Sequence, residues 1–241
     1  MDGVLIGIVL LLSVAAFVQS LSGFGMALVA IAALPMVMAV REAIALITVF
    51  NLFVATMTLS MNWRGFRLRG AGGVILSFII GIPLGYYFLQ GLDERVVIRL
   101  LGGALVALAL FEILMLRRGH FVLPQWMGGA CGLAGGLLGG AFNTGGPPIV
   151  AYVYSQDWSK AQIVATLQIA FLGGGLLRTS LMGLEGEHSV RIWMIVAWAL
   201  VPTMFSVWLG HRLLGRVSLR WLRFGVFAFL LSMGLKYLLW P

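Results

Sequence analysis

Charged side chains are scarce in this sequence. They make up 10% of its 241 residues, too few to clothe the surface of a water-soluble fold. Histidine is scarcer still. His120, His188 and His211 all fall in gaps between apolar runs, and no His/Glu pair or paired aspartates lie inside a run. Metal-assisted hydrolysis within a membrane needs such ligands at depth, so an intramembrane metalloenzyme lacks its chemistry here. Cys131 stands alone, which excludes an internal disulfide and a cysteine-based metal site. Acidic residues number 8 against 16 Lys and Arg. The basic excess sits in short gaps rather than along amphipathic faces, so it encodes membrane topology and not a grip on nucleic acid. No cofactor, metal or nucleic-acid partner is expected.

What the chain has instead is apolar length. It is 61% hydrophobic with a mean hydropathy of +1.04, the composition of a polytopic protein embedded in a lipid bilayer. Met1-Asp2-Gly3 lacks the basic region of a cleavable signal peptide, so the run from Val4 is expected to stay as a span. Between Val4 and Val40 there is no charge at all. That stretch is too long for one crossing of a hydrocarbon core about 30 Å thick, so it must go in and come back. Single crossings are expected over 43–61, 71–90, 96–116, 161–182 and 192–210, with a last span ending near Trp240.

The segment 139–148, Gly-Gly-Ala-Phe-Asn-Thr-Gly-Gly-Pro-Pro, breaks helix rules between two apolar runs. At membrane depth such backbone survives only where it is buried in protein or lines a wet cavity. Its glycines expose backbone N–H groups, and Asn143 and Thr144 add an amide and a hydroxyl. Pro147 and Pro148 fit the first turn of a new helix, whose positive dipole end would point back at the break. Such an arrangement prefers an anion. The other open reading is a glycine-rich packing seam between helices.

Loop charge orders these segments. Gaps carrying Arg64, Arg117 and Arg212 are placed in the cytoplasm, and those carrying Asp93 and Glu185 outside. Counting crossings then requires each broken segment to return to the side it left, and it puts both termini outside. Each half, 1–118 and 119–241, becomes a broken or re-entrant hairpin followed by three transmembrane helices, the second half inverted relative to the first. Ser20-Leu21-Ser22-Gly23 resembles Gly136-Leu137-Leu138-Gly139, and 43–48 resembles 161–166. Inverted-topology repeats with interrupted helices are a signature of secondary transporters, whose substrate site lies between the halves.

Ser22-Gly23-Phe24-Gly25-Met26-Ala27-Leu28-Val29, taken with the 139–148 segment, resembles the sulfite exporter TauE/SafE family of membrane permeases. The resemblance runs over nearly the whole chain. It implies movement of small sulfur-containing or carboxylate anions, such as sulfite or short organosulfonates, as export across the bacterial cytoplasmic membrane. Many members carry plainer glycine triplets at the breaks, whereas here Phe24 and Asn143 interrupt them.

The substrate site is accordingly expected where Ser22, Gly23, Phe24 and Gly25 face Asn143, Thr144, Gly145 and Gly146. Asn51 and Gln168 lie in the spans just after the breaks and offer amide donors, or else hold helices together. Gln19 and Thr48 are lesser candidates that back-bond to their own helices on the plainer reading. Arg178, about one turn inside its span, either draws anions into the outer mouth or snorkels to the interface. Glu112, the only carboxylate well inside a span, either carries a coupling proton or pairs with Arg117 and Arg118. Trp63, Trp126, Trp158, Trp221 and Trp240 read as interface anchors. A homodimer is left open. The competing functions are an intramembrane enzyme, a non-transporting membrane subunit and a channel; only the transporter predicts a wet cavity at the breaks reached from alternating sides.

Overall fold

The computed structural model describes residues 3–67, 70–117, 122–184, 190–213 and 219–240. The expectations resting on Arg118, His120, Glu185 and His188 lie outside these residues, as do the side chains of Glu112, Arg117 and Trp221. The described residues form α-helices joined by short turns, with two 3-10 turns and no strand. In chain order they are α1 (Gly3–Ser22), α2 (Met26–Ala33), α3 (Val40–Asn62), α4 (Gly72–Phe88), α5 (Glu94–Arg117), α6 (Gln125–Phe142), α7 (Gly146–Ser155), α8 (Lys160–Leu184), α9 (Val190–Leu213) and α10 (Leu219–Leu239). Five of them, α1, α3, α4, α8 and α9, are long and apolar enough to cross a membrane. The protein is an all-α, multi-pass membrane protein.

Both interrupted segments form as helix, break and short helix. Leu123 N–H donates to Ser155 Oγ at 3.2 Å, and the Gln156 side-chain amide donates to Leu123 O at 3.0 Å. The start of α6 and the end of α7 therefore lie on one side, and the segment between them goes in and returns. On the opposite side, Arg41 donates to the carbonyls of Leu89 and Leu92 at 3.1 and 2.9 Å, and Arg191 pairs with Glu42 at 3.3 Å. That ion pair is exposed and worth about 0–1 kcal/mol, but it fixes which helix ends share a face.

The helices pair in matched sets: α1 along α9 and α4 along α6, with α3 against α8 and α5 against α10. Small residues allow the closest approach. Gly128, Gly132, Gly136 and Gly140 recur every fourth residue and so form one stripe down α6. A Cβ at Gly136 would overlap the Phe78 carbonyl oxygen, one at Gly140 the Ile82 carbonyl, and one at Gly85 of α4 the Leu137 carbonyl. The packing-seam reading thus applies to the glycines of α6 and reaches into the break at Gly145, where a Cβ would overlap the Gly135 carbonyl oxygen.

Buried polar side chains are concentrated. Gln19, Ser20 and Ser22 end α1, Thr48, Asn51 and Thr58 lie on α3, Thr144 is in the second break, and Thr166, Gln168 and Arg178 lie on α8. Thr203 of α9 is the other buried polar residue among those described. Polar groups cost free energy in a dry interior unless they are hydrogen-bonded, and here they gather along α3, α8 and the two breaks.

Candidate functional site: a pocket between two broken helices

The two breaks have the same local geometry. At the end of α1, Gly23 takes a left-handed backbone (φ 80°) and its N–H returns to Gln19 O at 2.7 Å. At the end of α6, Asn143 takes the left-handed conformation (φ 59°) and its N–H returns to Gly139 O at 2.9 Å. Each is a helix stop of the left-handed C-cap type, which glycine fills without strain and asparagine fills best among the others. Local geometry therefore equates Gly23 with Asn143, one helical turn from the alignment that matched Gly23 with Gly139. Residue-type similarity, which sets Gly23 beside Gly139, carries no mark of an asparagine serving as the stop.

After each stop a short helix begins, and both short helices point their N-termini at one pocket. It is lined by Phe24, Gly25, Ala27 and Leu28 from the first break and by Asn143, Thr144, Gly145 and Gly146 from the second. Gln19, Asn51, Phe78, Ile82 and Phe171 complete the main wall. The space is about 20 Å³, room for about one water. Among the described residues no acidic or basic side chain lines it.

The hydrogen bonds assign the two signs of backbone dipole to different places. Carbonyls at the break ends are occupied by donors from elsewhere. Ser22 O accepts from Tyr154 Oη at 3.1 Å, Gly23 O from Gln168 Nε2 at 2.8 Å, and Phe24 O from the Ser22 hydroxyl. Leu138 O accepts from Thr144 N–H at 3.3 Å. Arg178 donates to Gly139 O at 2.9 Å and to Ala141 O at 3.3 Å, with its guanidinium 5.4 Å from the Tyr86 ring centroid. A cation on the last carbonyls of α6 offsets the negative end of that helix. The positive ends stay open. Met26 N–H is taken by Gln19 Oε1 at 3.2 Å, but the first-turn N–H groups of Ala27 and Leu28 have no acceptor within their own helix. Pro147 and Pro148 carry no N–H, so α7 offers fewer donors than α2.

The expected residues separate into those at the wall and those behind it. Phe24, Gly25, Asn51, Asn143, Thr144, Gly145 and Gly146 line the pocket. Gly23, Ser22 and Gln168 do not. Gln168 is fully buried and ties α8 to the first break, which is the helix-holding alternative. Asn51 accepts from Gln19 Nε2 at 3.5 Å, and Thr48 both donates to Ile44 O at 2.8 Å and accepts from Asn143 Nδ2 at 3.3 Å. Gln19 and Thr48 therefore do more than back-bond. Arg178 is 4% exposed and does not snorkel: its head is spent on α6 carbonyls, and it lines a separate small cavity with Arg41 and Tyr86. Phe78, Ile82 and Phe171 were not expected; Phe78 and Phe171 pack at 5.9 Å between ring centroids. The glycine spacings of α4 and α6 were the signal that α4 reaches this wall.

The sulfite exporter TauE/SafE family model matches residues 8–237. The chain belongs to that family. Among curated proteins it is 24% identical, over 98% of its length and 94% of the relative's, to a "Probable sulfite/organosulfonate exporter TauE" of Cupriavidus necator. It is 23% identical, over 73% of its length and 74% of the relative's, to a "Probable inner membrane transporter protein TsaS" of Comamonas testosteroni. No solved structure matches. Family membership makes the chain a membrane transporter and not an enzyme.

Proposed function

We propose that the protein exports small sulfur-containing anions, sulfite or short organosulfonates, across the bacterial inner membrane as a secondary transporter, by alternating access around the pocket between the breaks. The observation that carries this reading is the convergence of two helix N-termini on a pocket without an acidic side chain. Each terminus presents about half a positive charge, worth up to about 2 kcal/mol for an anion in a partly buried site. The two together supply up to about 4 kcal/mol, with α7 the weaker for its missing N–H groups, so this source alone gives a dissociation constant no tighter than about 1 mM. The amides of Asn143 and Asn51 strengthen the site further. N–H groups of the first turns and these amides replace the water that the anion leaves behind, while Phe24, Phe78 and Phe171 keep bulk water out.

The matched helix pairings support two halves related as inverted repeats, 1–118 and 119–241, with the site at their junction. The face of Arg64, Lys160 and Arg212 is assigned to the cytoplasm on the excess of basic residues there, which leaves both termini outside. Glu112 is the candidate for a coupling proton on its place in the sequence alone. Sulfite counterflow into proteoliposomes, run beside thiosulfate, ethanesulfonate, acetate and chloride, tests the function. Exchange of a sulfur oxyanion, with an apparent affinity about tenfold or more weaker in Asn143→Gly, is the expected result. Absence of exchange for every anion with folded, oriented protein would overturn it.

A further inference from the structure

We propose that the cavity on the face of Lys160 and His211 is a second binding site for a small oxyanion, one step from the central pocket. The inference rests on the anion-transport reading and adds a site to it. The cavity lies among the ends of α1, α3, α8 and α9 and measures about 260 Å³, against about 20 Å³ at the centre. In this conformation it is the larger of the two spaces and holds a small anion with water to spare.

Three features of its lining point to an anion. Lys160 opens α8, where a cation faces the positive end of the helix dipole, and the first turn has no acidic residue to compensate. Lys160 makes no ion pair among the described residues, and Asp157, the nearest acid in sequence, is exposed and does not line the cavity. Thr58 is 4% exposed, and its hydroxyl has no hydrogen-bond partner among the described residues. This differs from Thr48 and Thr56 of the same helix, which donate to Ile44 O and Leu52 O at 2.8 and 2.7 Å. A lysine placed against its helix, a buried hydroxyl with nothing to bind, and the His211 imidazole at the rim form a donor set for an oxyanion.

The turn that ends α1 runs from this cavity, at Leu21, to the central pocket, at Phe24. Leu21 and Val164 line the cavity, Gly23 lies against Val164 and Leu167, and Gln168 fastens the turn by donating to Gly23 O at 2.8 Å. Gln168 Oε1 is buried and accepts no hydrogen bond among the described residues, so the fastening uses only half of the amide. Gly23, in its left-handed turn, is the flexible point beside it. An anion held by Lys160 and Thr58 therefore waits directly against the backbone that must move to admit it.

The test is equilibrium dialysis of radiolabelled sulfite, under anaerobic conditions, against the full chain in phosphatidylcholine nanodiscs, with Asn143→Gly, Lys160→Gln and Thr58→Val compared to wild type. Wild type is expected to bind two equivalents. Asn143→Gly should weaken one of them, and Lys160→Gln or Thr58→Val should weaken the other at least tenfold while the first persists. Lys160 is exposed, so Lys160→Gln carries the test if Thr58→Val does not fold. A single equivalent that both Lys160→Gln and Thr58→Val leave unchanged overturns the second site and spares the central one. No bound sulfite in wild type overturns the anion reading of the central pocket itself. A phospholipid headgroup offers the same phosphate-like chemistry. If Lys160→Gln reduces retention of added phosphatidylglycerol with sulfite stoichiometry unchanged, the cavity is a lipid site and the proposal fails.

Discussion

Asn143 is the residue at which backbone and side-chain contributions can be separated. Its left-handed conformation at φ 59° and ψ 22° costs an ordinary residue about 1–2 kcal/mol and costs glycine nothing. Asn143→Ala would therefore combine backbone strain with loss of the amide, and any defect would be ambiguous. Asn143→Gly removes the amide while relieving the backbone. On the stability side, the loss of the 3.3 Å bond to Thr48, about 0.5–1.5 kcal/mol, is offset by that relief, so Tm should stay within a few degrees of wild type. On the binding side, a hydrogen bond to a charged ligand is worth about 1.5–3 kcal/mol, which weakens anion binding about tenfold or more. Thermal unfolding read with and without sulfite resolves the two. At a concentration 100 times the wild-type Kd, bound anion stabilises wild type by about 2.7 kcal/mol. The same concentration is only about ten times the Kd of the variant, and the gain falls to about 1.4 kcal/mol. Equal sulfite-induced stabilisation in wild type and Asn143→Gly would refute a role for this amide at the site.

The remaining predictions test the scaffold around it. Gly136→Ala places a methyl on the Phe78 carbonyl; the overpacking, about 1–3 kcal/mol, exceeds the roughly 1 kcal/mol that alanine contributes to helix propensity, so the protein should unfold at a lower temperature in a scanning experiment. Arg178→Lys keeps the charge but not the fork that reaches both Gly139 O and Ala141 O. It should therefore lower Tm and weaken sulfite binding together, whereas a residue acting only as an attractor in the outer mouth would lose affinity alone. Cys131→Ala gives a cysteine-free chain. In that background, Asp93→Cys and Ser159→Cys, both at exposed positions, should react with an impermeant maleimide from opposite sides of the membrane in intact cells and inverted vesicles. Reaction of both from one side would contradict the face assignment.

The long helices and both breaks were legible in the sequence because membrane burial leaves few options: an uncharged stretch too long for one crossing must turn, and Gly, Asn and Pro mark where. Asn143, Thr144, Gly145 and Gly146 were placed at the site for that reason, and they line the pocket. Gln168 was legible only as a polar residue at the right depth. Whether its amide faces the cavity or the Gly23 carbonyl depends on which way α8 is rotated, and helix rotation is set by packing partners that a uniformly apolar span does not advertise. Arg178 shows the same limit in a charged residue. A cation one turn from a helix end can reach water by extending along the helix. It stays buried here because the end of α6 presents two carbonyls that sequence spacing cannot bring to it. Phe171 carried no signal at all, and Phe78 only the indirect one of the glycine spacings that bring α4 against α6, since in a membrane span an aromatic facing a pocket reads like one facing lipid.

On the proposed reading, the distribution of charge accounts for the release of a bound anion. A lysine or arginine in the pocket would bind an anion through a side chain that travels with it, and the affinity would persist as the helices moved. Here the field comes from the first turns of α2 and α7, which belong to opposite sides of the pocket, so its strength depends on how closely those turns approach each other. Separating them withdraws part of the attraction from a bound anion. By the same estimate of up to about 2 kcal/mol per terminus, that step weakens binding by up to about thirtyfold. The full cation, Arg178, is kept off the pocket and spent on the carbonyls of α6, where it removes a repulsive dipole without adding an attraction that motion cannot undo. A variant that moved a permanent cation to the wall, such as Asn51→Lys, should accordingly bind sulfite more tightly and exchange it more slowly. Faster exchange in that variant would mean that binding strength, and not release, limits the transport cycle.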